Sequence, residues 1–160
     1  MSHPNLAGIK SVRLFSSLNE HDHKHLALIA ERNNYSSGSY LCRENDPGSA
    51  LFVIVSGNVR VLKRAPHSNE DEEIAELGAG TYVGISSMID QGTRSASIQA
   101  TEPTSVLTIK FEALAKVLDD EPEFAVRFWR AVAVGMARQL RSANRSHSLL
   151  KEMMAHRAHH

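Results

Sequence analysis

The chain has 160 residues (17.6 kDa), with 18 Lys plus Arg balanced by 18 Asp plus Glu and one cysteine, Cys42. That length suits one compact domain, the neutral balance gives no whole-chain attraction to nucleic acid or an anionic membrane, and a lone cysteine excludes an intramolecular disulfide or a multi-cysteine zinc site. A hydrophobic fraction of 42% is too high for a disordered chain. No apolar run reaches the length of a membrane-spanning helix, and Met-Ser-His-Pro-Asn-Leu lacks a secretory layout, so a cytoplasmic location is expected.

Residues 1–34 read as a helical segment. A short apolar turn over residues 9–18 precedes a clearer helix, which Asn19 can cap. Glu20 and Asp22 complement its positive end, and Leu26, Ala27, Ile29 and Ala30 form the buried side. His21 and His25 stand at i and i+4, a spacing that can hold a metal, but the sequence places no third ligand beside them. With His23 they are expected to be exposed helix histidines, and no metal is expected.

Residues 35–110 read as a β core. Short runs at 40–42, 51–55, 59–62, 74–77, 81–83, 96–98 and 106–109 are rich in β-branched residues and recur roughly every ten positions, as in a small antiparallel barrel or sandwich. Asp46-Pro47-Gly48, Ser56-Gly57-Asn58 and Gly78-Ala79-Gly80 supply turns, and the acidic stretch 70–73 is expected in or beside a hairpin loop. Cys42 is expected as a small core residue.

Residues 111–146 return to a helical period. One short helix is expected over 112–118, and Pro122 opens a long one from a good first-turn position. At 100° per residue, Ala125, Trp129, Val132, Met136, Leu140 and Ala143 share one side, with Arg127, Arg130, Arg138, Arg141 and Arg145 opposite. Residues 147–160 read as an amphipathic or flexible tail, with Leu149, Leu150, Met153 and Met154 at helical spacing and His156, His159 and His160 unstructured.

The segment Leu77-Gly78-Ala79-Gly80-Thr81-Tyr82-Val83-Gly84-Ile85-Ser86-Ser87-Met88-Ile89, continued by Thr93-Arg94-Ser95-Ala96-Ser97-Ile98-Gln99-Ala100, carries the chemistry. Gly84 lets the backbone turn sharply, and a helical turn over residues 86–89 presents unpaired N–H groups, a ready anion site. Arg94, ten positions on, can bring a forked cation suited to phosphate, and Ser95 adds a hydroxyl. This stretch resembles the phosphate-binding cassette of the cyclic nucleotide-binding domain family. Leu51-Phe52-Val53-Ile54-Val55-Ser56-Gly57-Asn58-Val59-Arg60-Val61, preceded by Glu44-Asn45-Asp46-Pro47-Gly48, resembles that family's early strands. The resemblance covers residues 12–140.

It implies a mainly β fold, a jelly-roll-like antiparallel β-barrel flanked by N-terminal and C-terminal helices. It also implies a stand-alone regulatory sensor for a cyclic nucleotide or related phosphate-bearing ligand (cyclic AMP, cyclic GMP or a cyclic dinucleotide), with Gly84, Ile85, Ser86, Ser87, Arg94 and Ser95 around it. A protein partner met through the C-terminal helix, and a homodimer, are the expected outlets. The cassette departs from the family pattern at Ile85, where binders carry a glutamate for the ribose 2′-hydroxyl, and at Val83, where an aromatic is usual. A hydroxyl buried against Ile85 loses a partner, at about 1–3 kcal/mol. The alternative is therefore a degenerate domain that binds no nucleotide and acts as a protein–protein interaction module.

Other classes fit poorly. A cupin-type metalloenzyme needs histidines on the barrel strands, yet only His67 falls between residues 39 and 110. Gly84-Ile85-Ser86-Ser87-Met88 lacks the closing glycine of a serine-nucleophile turn. No enzymatic activity is expected, and with so short a stretch after Arg145 no direct reading of DNA by a helix-turn-helix is expected.

Overall fold

The computed structural model describes residues 3–158. Helix α1 (Leu6–Lys10) and a 3-10 turn (Arg13–Phe15) lead into α2 (Glu20–Ile29). Asn19 accepts from the Asp22 N–H at 2.9 Å and its own N–H donates to the Asp22 carboxylate at 3.2 Å, a reciprocal cap. Eight strands follow: β1 (Ala30–Tyr35), β2 (Tyr40–Cys42), β3 (Ala50–Ser56), β4 (Asn58–Arg64), β5 (Asp71–Gly78), β6 (Tyr82–Val83), β7 (Ser97–Ala100) and β8 (Thr104–Lys110). A short α3 (Ile85–Asp90) interrupts them, and α4 (Phe111–Asp120) and α5 (Pro122–Ala158) close the chain.

The strands form two antiparallel four-stranded sheets, in the orders β1-β8-β3-β6 and β2-β7-β4-β5. The jelly-roll class expected from the sequence is what folds, as two facing sheets rather than a closed barrel. Strand β3 shows why the first sheet is central. Its run Ala-Leu-Phe-Val-Ile is apolar on both faces. Leu51 and Val53 join the core beneath the helices, while Ala50, Phe52 and Ile54 join the smaller core between the sheets. On β8, Leu107 and Ile109 take the first side and Val106 the second. A strand buried on both faces reads as a continuous apolar run.

Strand β1 escaped the sequence reading. Its Ala-Glu-Arg-Asn-Asn-Tyr has no apolar alternation because its middle four residues are exposed, and it is a strand through its full register against β8. The acidic stretch is likewise more than a loop: Asp71 faces Arg64 and Glu72 faces Lys63 across the β4–β5 ladder.

Helix α5 also differs from its expected face. Phe124, Phe128, Ala131 and Val132 are buried, with the two phenylalanine rings edge to face at 6.0 Å. Trp129, Met136 and Leu140, expected on the buried side, are exposed. The helix packs only along its first turns, so its apolar stripe is used where a partner surface exists and left open beyond it. From Ala133 onward every described residue but Gly135 is exposed. Residues 147–158 continue α5 without a break, so His156 is helical rather than unstructured; His159 and His160 lie outside the described residues. Arg127, expected on the arginine-rich open face, instead donates Nε and Nη2 to the fully buried Asp22 carboxylate at 2.6 and 2.8 Å. That bond holds the Asp22 carboxyl below the usual carboxylate range. No helix is long and apolar enough to cross a membrane among the described residues.

Candidate ligand-binding site

Between the second sheet, α3 and α5 lies a cavity of about 640 Å³. The turn into it depends on Gly84, whose φ of +101° is a left-handed conformation that side chains disfavour. A Cβ there would also run into the Arg94 guanidinium and come within 2.9 Å of the Ala50 carbonyl. Gly48 has a related duty, since a Cβ on it would collide with the Ser87 side chain. The loop that delivers Arg94 is pinned by its backbone: Arg94 N–H donates to the Asp46 carbonyl at 2.8 Å, and Asn45 N–H to the Arg94 carbonyl at 2.9 Å. The Asp46-Pro47-Gly48 turn thus serves as the anchor for the second half of the cassette.

Arg94 is only 5% exposed. Its Nη1 donates to the Gly84 carbonyl at 3.4 Å and its Nη2 to the Ala50 carbonyl. Its guanidinium carbon stands 5.1 Å from the Phe52 ring centroid and 5.8 Å from that of Phe111, near aromatic faces that favour a cation. Among the described residues no ion pair involves Arg94. Burial accordingly lowers its pKa, with the Cys42 and Asp46 charges acting the other way. An arginine stays charged all the same. The cavity therefore borders a cation whose partners are carbonyl dipoles and ring faces, an arrangement able to receive an anion.

All six sequence-designated residues, Gly84, Ile85, Ser86, Ser87, Arg94 and Ser95, line this one cavity. They differ in how they present themselves. Ser86 and Ser95 are exposed, whereas Ser87 is buried with its hydroxyl 3.5 Å from the Thr93 carbonyl. The first-turn N–H groups of α3 have no acceptor within their own helix. Ile85, 6% exposed, belongs to the large core beneath the helices as well as to the cavity edge.

Several lining residues were not designated from sequence. Met136, Gln139 and Ala143 of α5 cover one side, because an exposed helix passes over the cavity mouth. Cys42, expected in the core, is half-buried and also lines the cavity; burial pushes its thiol up. It reaches the cavity because β2 sets it opposite Ile98, within the second half of the cassette, a pairing that its local sequence does not show.

Two facing antiparallel sheets, flanking helices and a Gly-turned arginine site define a jelly-roll domain with a candidate anion site. The family model for the cyclic nucleotide-binding domain matches residues 32–121, and the chain belongs to that family. It is 31% identical over 113 residues to the cGMP-dependent protein kinase egl-4 of Caenorhabditis elegans, a match covering 70% of this chain and 14% of that protein. It is 32% identical over 120 residues to the cyclic AMP receptor protein of Thermus thermophilus, covering 75% of this chain and 53% of the other. The chain thus corresponds to about half or less of these relatives' length. A solved cyclic nucleotide-binding domain from Methylobacillus flagellatus superposes with a TM-score of 0.75 at 28% identity, over 86% of this chain and 76% of that one.

Proposed function

We propose that the cavity binds a cyclic nucleotide or a related phosphate-bearing ligand, and that α5 passes its occupancy to a protein partner. The observation that carries this reading is Arg94, a buried arginine at the cavity wall with no carboxylate partner among the described residues. A phosphate would supply the missing counter-charge through short, charge-assisted hydrogen bonds. The volume of about 640 Å³ falls in the range of small-molecule sites. Cyclic AMP, cyclic GMP and cyclic dinucleotides are the ligands to test, and Ile85 disfavours those held mainly through a ribose 2′-hydroxyl. Because Met136, Gln139 and Ala143 line the same cavity, a ligand there would touch the helix that carries the exposed Leu140, Leu149, Leu150, Met153 and Met154. That apolar surface is the proposed contact for a second copy or a different protein.

The second reading, an interaction module that binds no nucleotide, is favoured by the packing of Ile85 into the main core. Calorimetric titration of the purified chain with the three ligand types separates the two. Binding that disappears in Arg94→Ala supports the sensor, and a wild-type chain inert to all three leaves the interaction module.

A further inference from the structure

The paired histidines of α2 acquire in the fold the third ligand that the sequence did not place. His21 Nε2 and His25 Nε2 lie 3.1 Å apart, with the rings edge to face and their centroids 4.5 Å apart. Glu121, at the junction of α4 and α5, brings Oε1 to 3.9 Å from the first nitrogen and 3.6 Å from the second. We propose that His21, His25 and Glu121 form a binding site for a divalent transition metal ion, zinc foremost, that clamps α2 to the root of α5.

The geometry suits such an ion. A tetrahedral zinc with Zn–N bonds of about 2.0–2.1 Å separates two ligating nitrogens by roughly 3.3 Å. The histidine pair is already near that spacing, and the carboxylate needs to approach by only a few tenths of an ångström. Two imidazole nitrogens and one carboxylate oxygen are a donor set that zinc, nickel and copper favour over magnesium or calcium. The intervening His23 shows the contrast. Its Nε2 lies 2.7 Å from the Phe15 carbonyl, so that ring is engaged elsewhere.

The frame around the three ligands is already set. Glu121 donates its N–H to the Val117 carbonyl at 2.9 Å and accepts from the Ala125 N–H at 3.0 Å, so both helices fix its backbone. One residue from His21, the bidentate Asp22–Arg127 pair locks α2 against α5. The side chains remain reachable from solvent, at 62% exposure for His21, 30% for His25 and 40% for Glu121. Three protein ligands leave a fourth position for water. A metal here would stiffen the base of the helix that passes over the ligand cavity, giving the domain an input separate from that cavity.

The test is a titration of the full chain with zinc chloride, read by calorimetry and by thermal unfolding, with cobalt(II) visible absorption as a second probe. The expected result is one equivalent of zinc bound, a rise in Tm that chelator reverses, and a tetrahedral cobalt spectrum, since a ligand binding only the folded state stabilises it. The double variant His21→Ala/His25→Ala should lose that equivalent, and Glu121→Gln should weaken it at least tenfold. His156→Ala, on the exposed end of α5, should change neither. A wild-type chain whose Tm ignores zinc, or a double variant that binds zinc as tightly as wild type, overturns the site and reduces the trio to hydrogen bonding and ion pairing.

Discussion

Two parts of this molecule each set an arginine against buried groups, and they treat it differently. At the seam between α2 and α5, Arg127 meets a buried carboxylate in a two-pronged bond, and Asp22 completes its partners through the cap of α2. At the cavity wall, Arg94 is more deeply buried yet meets only carbonyl oxygens and ring faces. Desolvating a charge costs free energy unless it is paired, so a fold that needs only stability provides the partner. The seam does so within the chain. At the cavity wall no carboxylate among the described residues pairs with Arg94, and under the proposed function a phosphate would supply that counter-charge.

The comparison breaks most visibly if the seam is not structural. Asp22→Ala removes two charge-assisted bonds and half of the helix cap, and should cost about 3 kcal/mol. In a chain of this size that lowers Tm by roughly 6–12 °C, measurable by calorimetry. Ligand affinity at the intact cavity should be unchanged once measured below the new transition. An Asp22→Ala protein as stable as wild type would show that the pair contributes nothing.

Arg94→Ala should do the reverse. Removing a charge-assisted contact to an anion costs about 1.5–3 kcal/mol, a weakening of roughly tenfold to over a hundredfold in a calorimetric titration. Stability should fall by less than in Asp22→Ala, about 1–2 kcal/mol, because the Gly84 and Ala50 carbonyls lose a donor but no ion pair within the chain is broken. A large fall in Tm with affinity retained would make Arg94 a second seam residue and end the contrast.

How much of this was legible beforehand follows from where each signal resides. Strand β3 announces itself because its first five residues, Ala50 to Ile54, are buried on both faces and must all be apolar. The cassette is legible because its whole run resembles that of a known family, and Gly84 and Arg94, only ten positions apart, do meet in space. Strand β1 was hidden because its pairing with β8 is carried by backbone bonds, which leave no trace in side-chain polarity. The Asp22–Arg127 bond was hidden because its partners are 105 positions apart, and a periodicity plot can place Arg127 on a face without showing what meets that face. Glu121 was missed beside His21 and His25 for the same reason. Helical spacing reveals the two ligands on one helix and is silent on a third from another.

Ile85 sharpens the comparison at the cavity edge. Ile85→Glu supplies the acceptor that a ribose 2′-hydroxyl lacks here and should tighten cyclic AMP binding about tenfold, the lower end of the value of a buried hydrogen bond. The same change places a carboxylate at the border of the main core, so Tm should fall. Titration and calorimetry on one preparation read both. Undetectable binding with a collapsed Tm would mean that Ile85 serves packing alone.

The smallest expected effect on stability tests the far end of α5, where the logic of the seam stops. Phe124, Phe128 and Val132 are buried, and a helix so anchored needs no help from residues several turns away. Beyond Gly135, which lies beside Leu14 and Tyr82, every described residue of the helix is exposed, including Leu149, Leu150, Met153 and Met154, whose spacing would suit a covered face. Truncation after Ser146 should therefore shift stability by less than about 0.5 kcal/mol, as for exposed residues generally. Met136, Gln139 and Ala143 remain in the truncated chain, so the cavity keeps its α5 wall and ligand affinity should hold. Self-association in sedimentation, or capture of a protein partner, should be lost, because the Leu/Met stripe is the surface removed. If the truncated and full chains sediment and capture partners alike, the stripe is idle and the output of the domain leaves through the surface nearer the cavity, where Trp129, Met136 and Leu140 are exposed.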